Sequence, residues 1–165
     1  MKHIKRFNES IKDRKDLIEM AKSTFEIIDD EYHLERFKCV GMPVHKNPLE
    51  EIEIYIKVGL EELEATGKFK NEDMWDYFSN LLISQIKEYQ SKSGLTFSSF
   101  ISHYGSKTFW MNVEEDGKFT SGNGNDYSSI PSGNWESNIR KMIENAGIEN
   151  YDLEVNIYFR VDETS

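Results

Sequence analysis

The chain has 165 residues, long enough for one domain to enclose a hydrophobic core. Its 13% aromatic content argues against a disordered polymer, and its single cysteine, Cys39, excludes an internal disulfide framework. A formal net charge of -10 disfavours nonspecific contact with nucleic acid, because phosphate attracts the opposite sign.

The basic residues are unevenly spread. Residues 1–15 hold Lys2, Lys5, Arg6, Lys12, Arg14 and Lys15 against only Glu9 and Asp13. This start lacks the apolar stretch of a secretion signal, and no run of about 18 apolar residues follows anywhere. The expected location is therefore the cytoplasm, with no membrane span.

The first periodic segment predicts a helix from about Ser10 to Ile28. Ile11, Ile18, Ala21, Phe25 and Ile28 recur at helical spacing, with charged residues opposite. Ser10 is the expected cap, and the acids Asp29 and Asp30 mark the expected end, where the helix dipole disfavours them. Two strands are expected next, Glu35–Met42 and Glu51–Val58. In the second, Ile52, Ile54, Ile56 and Val58 alternate with Glu51, Glu53, Tyr55 and Lys57, the pattern of a half-buried strand. Residues 59–70 read as a short helix or a surface connection.

A long helix is expected over Asn71–Ser91, with Met74, Phe78, Leu81, Leu82, Gln85, Ile86 and Tyr89 on one stripe and Gly94 as its stop. Strands Leu95–His103 and Thr108–Val113 then flank a hairpin turn at residues 104–107, and Asp116-Gly117 offers a further turn. Residues 116–133, rich in glycine, serine and asparagine, read as a long loop. Asn134 or Ser132 caps a final helix carrying Trp135, Ile139, Met142, Ile143 and Ala146, with Gly147 as its C-cap. The closing strand alternates Leu153, Val155, Ile157, Phe159 and Val161 with polar partners.

The expected fold class is α+β, a mainly antiparallel sheet with helices packed on one face, in the order α-ββ-α-ββ-α-β. Residues 1–165 are expected to form a single domain, with a short basic segment at 1–10 and the long loop at 116–133.

Motifs that carry chemistry are scarce. His3, His33, His45 and His103 form no close pair, so a zinc site would need ligands from scattered loops. No phosphate-binding glycine loop, dinucleotide fingerprint or nucleophile elbow is present. Cys39 alternates with Phe37 and reads as a small core residue. Gly122-Asn123-Gly124-Asn125-Asp126 supplies oxygen ligands of the kind calcium takes, but one copy of such a stretch reads as a loop. No catalytic residue, metal site or cofactor is expected. The candidate protein-binding residues are Lys2, Lys5, Arg6 and Phe7 in the basic start, with Phe119, Tyr127 and Trp135 in and beside the long loop. Those aromatic rings can equally pin the loop to the domain, which is the favoured reading, and Trp135 reads as the core residue nearest the cap of the last helix.

The opening Met1-Lys2-His3-Ile4-Lys5-Arg6-Phe7-Asn8-Glu9-Ser10 resembles the start of many proteins of large tailed bacteriophages whose roles are unassigned. The resemblance covers these ten residues and implies a phage accessory protein, in the host cytoplasm or the virion. The reading is a non-enzymatic interaction or structural domain, contacting another protein or a second copy of itself. The alternatives are a small ligand-binding protein or enzyme with a pocket of scattered residues, and a nucleic-acid-associated protein using its basic arm.

Overall fold

The computed structural model describes residues 14–44, 47–59, 72–114, 116–123, 133–144 and 152–160. The first helix, α1, spans Arg14–Tyr32 and buries Leu17, Ala21, Thr24, Phe25, Ile28 and Tyr32, one stripe at helical spacing. It runs past Asp29 and Asp30, where the sequence pattern placed its end. Burial of Tyr32 draws the last turn onto the core. Asp29 instead serves the chain's exit from the helix: its carbonyl accepts the His33 N–H at 2.8 Å and its carboxylate accepts the Leu34 N–H at 3.1 Å. His33 occupies the left-handed region, φ 50°, which ends the helix sharply.

Strands β1, Arg36–Val44, and β2, Asn47–Val58, pair antiparallel. Helix α2, Glu72–Ser93, follows, then β3, Thr96–Tyr104, and β4, Lys107–Val113. A third strand, β5, Phe119–Asn123, pairs with β4. It corrects the reading of residues 116–133 as loop throughout. Gly117 makes the intervening turn at φ 87°, and the Glu114 N–H donates to the Lys118 carbonyl at 2.8 Å. Only Phe119 in β5 is large and apolar, so the strand exists because β4 offers it a ladder, not because its own pattern demands it. Helix α3, Trp135–Glu144, and strand β6, Leu153–Arg160, complete the element order α-ββ-α-βββ-α-β.

The six strands form one antiparallel sheet in the order β1-β2-β6-β3-β4-β5. The last strand is therefore central, laddered to β2 along one side and to β3 along the other. Joining the two early hairpins through a strand that pairs across separations such as 103 residues to β2 and 60 to β3 is what makes a single core. The helices lie side by side on one face, α1 over β1 and β2, α2 between α1 and α3, and α3 against β3.

Beneath them, Phe159 of β6 is fully buried and meets Phe25 of α1, Tyr89 of α2 and Phe97 of β3, with ring centroids at 6.3, 4.7 and 5.9 Å. One ring of the central strand thus ties two helices to the sheet. The Tyr89 hydroxyl satisfies itself on the Leu17 carbonyl at 2.8 Å, and Gln85 Nε2 donates to the Thr24 carbonyl at 3.2 Å. These two bonds clamp α2 to α1 in a place where an unpaired polar group would be costly. Cys39 lies in the same core, its thiol pushed up to about 12 by burial, which leaves it an unreactive small hydrophobe.

Asn134 is the cap of α3, its side-chain oxygen accepting the Ser137 N–H at 2.8 Å. Asn134→Ala is expected to lower unfolding free energy by about 1 kcal/mol, with Asn134→Ser close to wild type. Denaturant melts of the two variants check this.

Candidate functional site on the open face of the sheet

Strand alternation sends every second side chain away from the helices, and no described helix or strand packs across that side. The ladder registers align these residues in rows. One row runs Lys57, Glu154, His103 and Thr108; the next runs Tyr55, Asn156, Ile101, Trp110 and Gly122; a third runs Glu53, Tyr158, Ser99, Asn112 and Thr120. Glu51 and Arg160 face each other at the end of β2 and β6. The face therefore carries two tyrosines, a tryptophan and an isoleucine among polar groups of both signs.

Its polar groups hold one another in place. Tyr55 donates to the Glu154 carboxylate, diagonally across the β2–β6 ladder. Asn156 Nδ2 donates to Glu53 Oε1 at 2.6 Å, and the Tyr158 hydroxyl approaches the same oxygen at 3.4 Å. Lys57 Nζ sits 3.4 Å from Asp152 and 3.7 Å from Glu35. His103 Nδ1 and Thr108 Oγ1 share a hydrogen bond of 3.1 Å. Such cross-strand pairs contribute a few tenths to about 1 kcal/mol each and stiffen the surface they decorate.

A bulge in β3, between Phe97 and Ser99, breaks the flatness of the face. It directs the Ser98 hydroxyl to the Tyr158 carbonyl at 3.1 Å, while Ser99 Oγ reaches the Met111 carbonyl and Asn112 Oδ1, each at 3.2 Å. Beside the bulge the surface sinks into an open depression of about 580 Å³, bordered by Ile101, Asn112, Thr120, Tyr158 and Arg160 with Glu51 and Glu114.

The two tyrosines of the face are held protonated. Burial, the hydrogen bond to Glu154 and its charge push Tyr55 up to about 12; burial and the Glu53 charge do the same for Tyr158. The sign follows directly. Below the ordinary tyrosine value of 10.0 the folded and unfolded chains are equally protonated and stability is unaffected; between 10.0 and about 12 the unfolded chain loses these protons first, so stability falls as pH rises. Phenolate absorbance during an alkaline titration is expected to show Tyr55 and Tyr158 ionising late, together with loss of stability in that window. Early ionisation of both would contradict the hydrogen-bonded lattice.

Among the described residues, no group of three or more histidine, cysteine, aspartate or glutamate side chains is placed to hold a metal ion. The sequence candidates Lys2, Lys5, Arg6, Phe7 and Tyr127 lie outside the described residues, as do Gly124, Asn125 and Asp126 of the calcium-like stretch. Phe119 and Trp135 are partly buried and pack against the core. Trp135 lies 4.9 Å from Phe97, with Lys87 Nζ 5.8 Å above its ring, so it seats α3 on the sheet. Phe119 points the same way as Val113, toward the helices. Both rings anchor their own elements. The structure instead brings together Tyr55, Ile101, Trp110 and Tyr158. Their alternation with core residues was already visible in the sequence and is the signal that groups them.

No protein-family model matches the chain, and neither a curated protein nor a solved structure matches it. No helix among the described residues is long and apolar enough to cross a membrane.

Proposed function

We propose that the chain is a non-enzymatic interaction domain that engages a protein partner through the open face of its sheet. The resemblance of residues 1–10 to phage proteins favours an accessory role in a tailed phage, with the virion or the host cytoplasm as its place of work. The observation that carries the reading is the alignment of half-buried Tyr55, Ile101, Trp110, Tyr158 and Arg160 on a face that no described helix or strand covers. Tyrosine, tryptophan and arginine are the residue types that dominate contact energy at protein interfaces. The helices give the sheet a rigid backing, and the hydrogen-bonded side chains are already ordered, so little entropy is lost when a partner arrives.

The chemistry of the face supports contact over catalysis. Its tyrosines hold their protons, and Glu53 and Glu154 are occupied as acceptors from neighbouring side chains. Glu51, Glu53 and Glu154 lie on the β2 and β6 strands of the face and oppose the phosphates of a nucleic acid. A second reading, a small polar ligand, is favoured by the depression beside the β3 bulge.

Affinity capture from the native source at physiological salt, with nuclease-treated controls, separates these readings. A stoichiometric protein retained after nuclease treatment is the expected result. Retention abolished by nuclease, or no retained protein, overturns the protein-partner reading, and a metabolite bound in its place supports the ligand reading.

A further inference from the structure

We infer that the outer edge of β1, which no described strand covers, accepts an extended acidic peptide as a seventh strand of the sheet. The inference extends the interaction reading to the sheet edge that adjoins the open face, and rests on the ladder and charges of β1, not on the aromatic residues of that face.

The two edge strands of the sheet are β1 and β5. β1 is the longer, Arg36–Val44 against Phe119–Asn123, and its outer backbone groups face no described strand. Arg36, Lys38 and Val40 point to the open side and are exposed, Val40 by 40%. On the helix side, exposed Lys22 of α1 lies close enough to Cys39 for its charge to act on that thiol. Two exposed cations, Arg36 and Lys38, therefore lie on the edge strand, with Lys22 on the helix packed over it, in a chain whose net charge is -10. No ion pair joins Lys22, Arg36 or Lys38 to another described residue, whereas Lys57, one strand inward, is held by Glu35 and Asp152.

Exposed strand edges attract further strands, and charged residues on an edge exclude most of them. Here the charged side chains of β1 itself are positive, with Glu35 just before the strand drawn to Lys57, so they also define what is admitted. A second copy paired through β1 would set Lys22, Arg36 and Lys38 against the same cations. The chain's own opening segment, with Lys2, Lys5 and Arg6, meets the same repulsion. A strand carrying carboxylates at alternate positions places them opposite Arg36 and Lys38 while its backbone completes the ladder. The register irregularity between Met42 and Val44, with Pro43 inside it, bounds the seat to residues 36–42. An occupant of about six residues fits this length, at one residue per ladder position.

The probe is a fluorescein-labelled, end-blocked hexapeptide of alternating glutamate and valine, measured by fluorescence polarisation with the full chain. Two comparison peptides carry lysine for glutamate, or N-methyl groups on alternate amides. Saturable binding of the acidic peptide is expected. It should weaken as salt rises, fall about tenfold in the Arg36→Glu, Lys38→Glu double variant, and disappear on N-methylation. Amide shifts on binding should centre on residues 36–42, and Trp110→Ala on the open face should leave the affinity unchanged. Lys38→Gln, a milder change at an exposed site, should weaken binding by a smaller factor and guards against a double variant that fails to fold. Equal binding of the lysine peptide, survival of binding on N-methylation, a dimer formed without peptide, tighter binding of an oligothymidylate, or no saturable binding would each overturn the inference. Loss of acidic-peptide binding in Trp110→Ala alone would place the peptide on the open face and overturn the edge assignment while leaving the interaction reading intact.

Discussion

Phe159→Ala is expected to lower unfolding free energy by about 3–5 kcal/mol, the cost of removing a large buried ring that its neighbours cannot follow inward. Phe159 is fully buried and its ring meets Phe25, Tyr89 and Phe97, which come from α1, α2 and β3. None of the three is free to collapse into the space. Phe25 sits on a helix clamped through Gln85, Tyr89 is tethered by its hydroxyl to Leu17, and Phe97 is pinned between Phe159 and Trp135. At roughly 2–4 °C per kcal/mol for a domain of this size, the melting temperature should drop by roughly 6–20 °C. Tyr158→Ala, one residue away but on the open face, should cost far less because its ring does not close the core. Paired thermal and denaturant melts measure both. Equal losses for the two variants would contradict the assignment of faces in β6.

Trp110→Ala is expected to weaken partner binding by about thirtyfold or more, about 2 kcal/mol, while leaving the fold intact. Trp110 stands on the open face of β4, opposite Ile101 on β3 and Gly122 on β5. Gly122, without a side chain, leaves room beside the half-buried indole, and the branched Ile101 stands on its other side. A large rigid ring so placed can bury area at little cost in conformational entropy. Trp110→Phe should recover most of the affinity, since a ring remains, whereas Ile101→Arg should abolish binding by setting a cation in the middle of the face. Titration calorimetry with the captured partner, alongside thermal melts, separates lost contact from lost folding.

How much of this could be read in the amino-acid order depends on where each segment's stability originates. β2 and β6 were legible because their core faces are isoleucine, valine, leucine and phenylalanine at strict alternation, and a half-buried strand requires nothing else. α2 was legible for the matching reason at helical period. β5 was not, because threonine, serine, glycine and asparagine carry no pattern of their own and the strand is imposed by its neighbour. The extension of α1 to Tyr32 was hidden because an acid near a helix end usually reads as a stop, while Asp29 acts here as the acceptor for the departing amides. The open face was half legible: alternation placed Tyr55, Tyr158 and Trp110 away from the core. Their assembly into one surface depends on β6 lying between β2 and β3, a pairing set by contacts across nearly the whole chain. Phe119 and Trp135, candidates for partner contact, turn inward as the pinning alternative has it, because a short strand and a short helix each need an apolar anchor.

Hydroxyl-radical footprinting of the chain, alone and with its captured partner, tests the proposed surface most directly. Trp110, Tyr55 and Tyr158 should lose reactivity in the complex, while Tyr77, 50% exposed on the helix layer, keeps its own. Protection of Tyr77 with an unchanged open face would place the interaction on the helices and contradict the account.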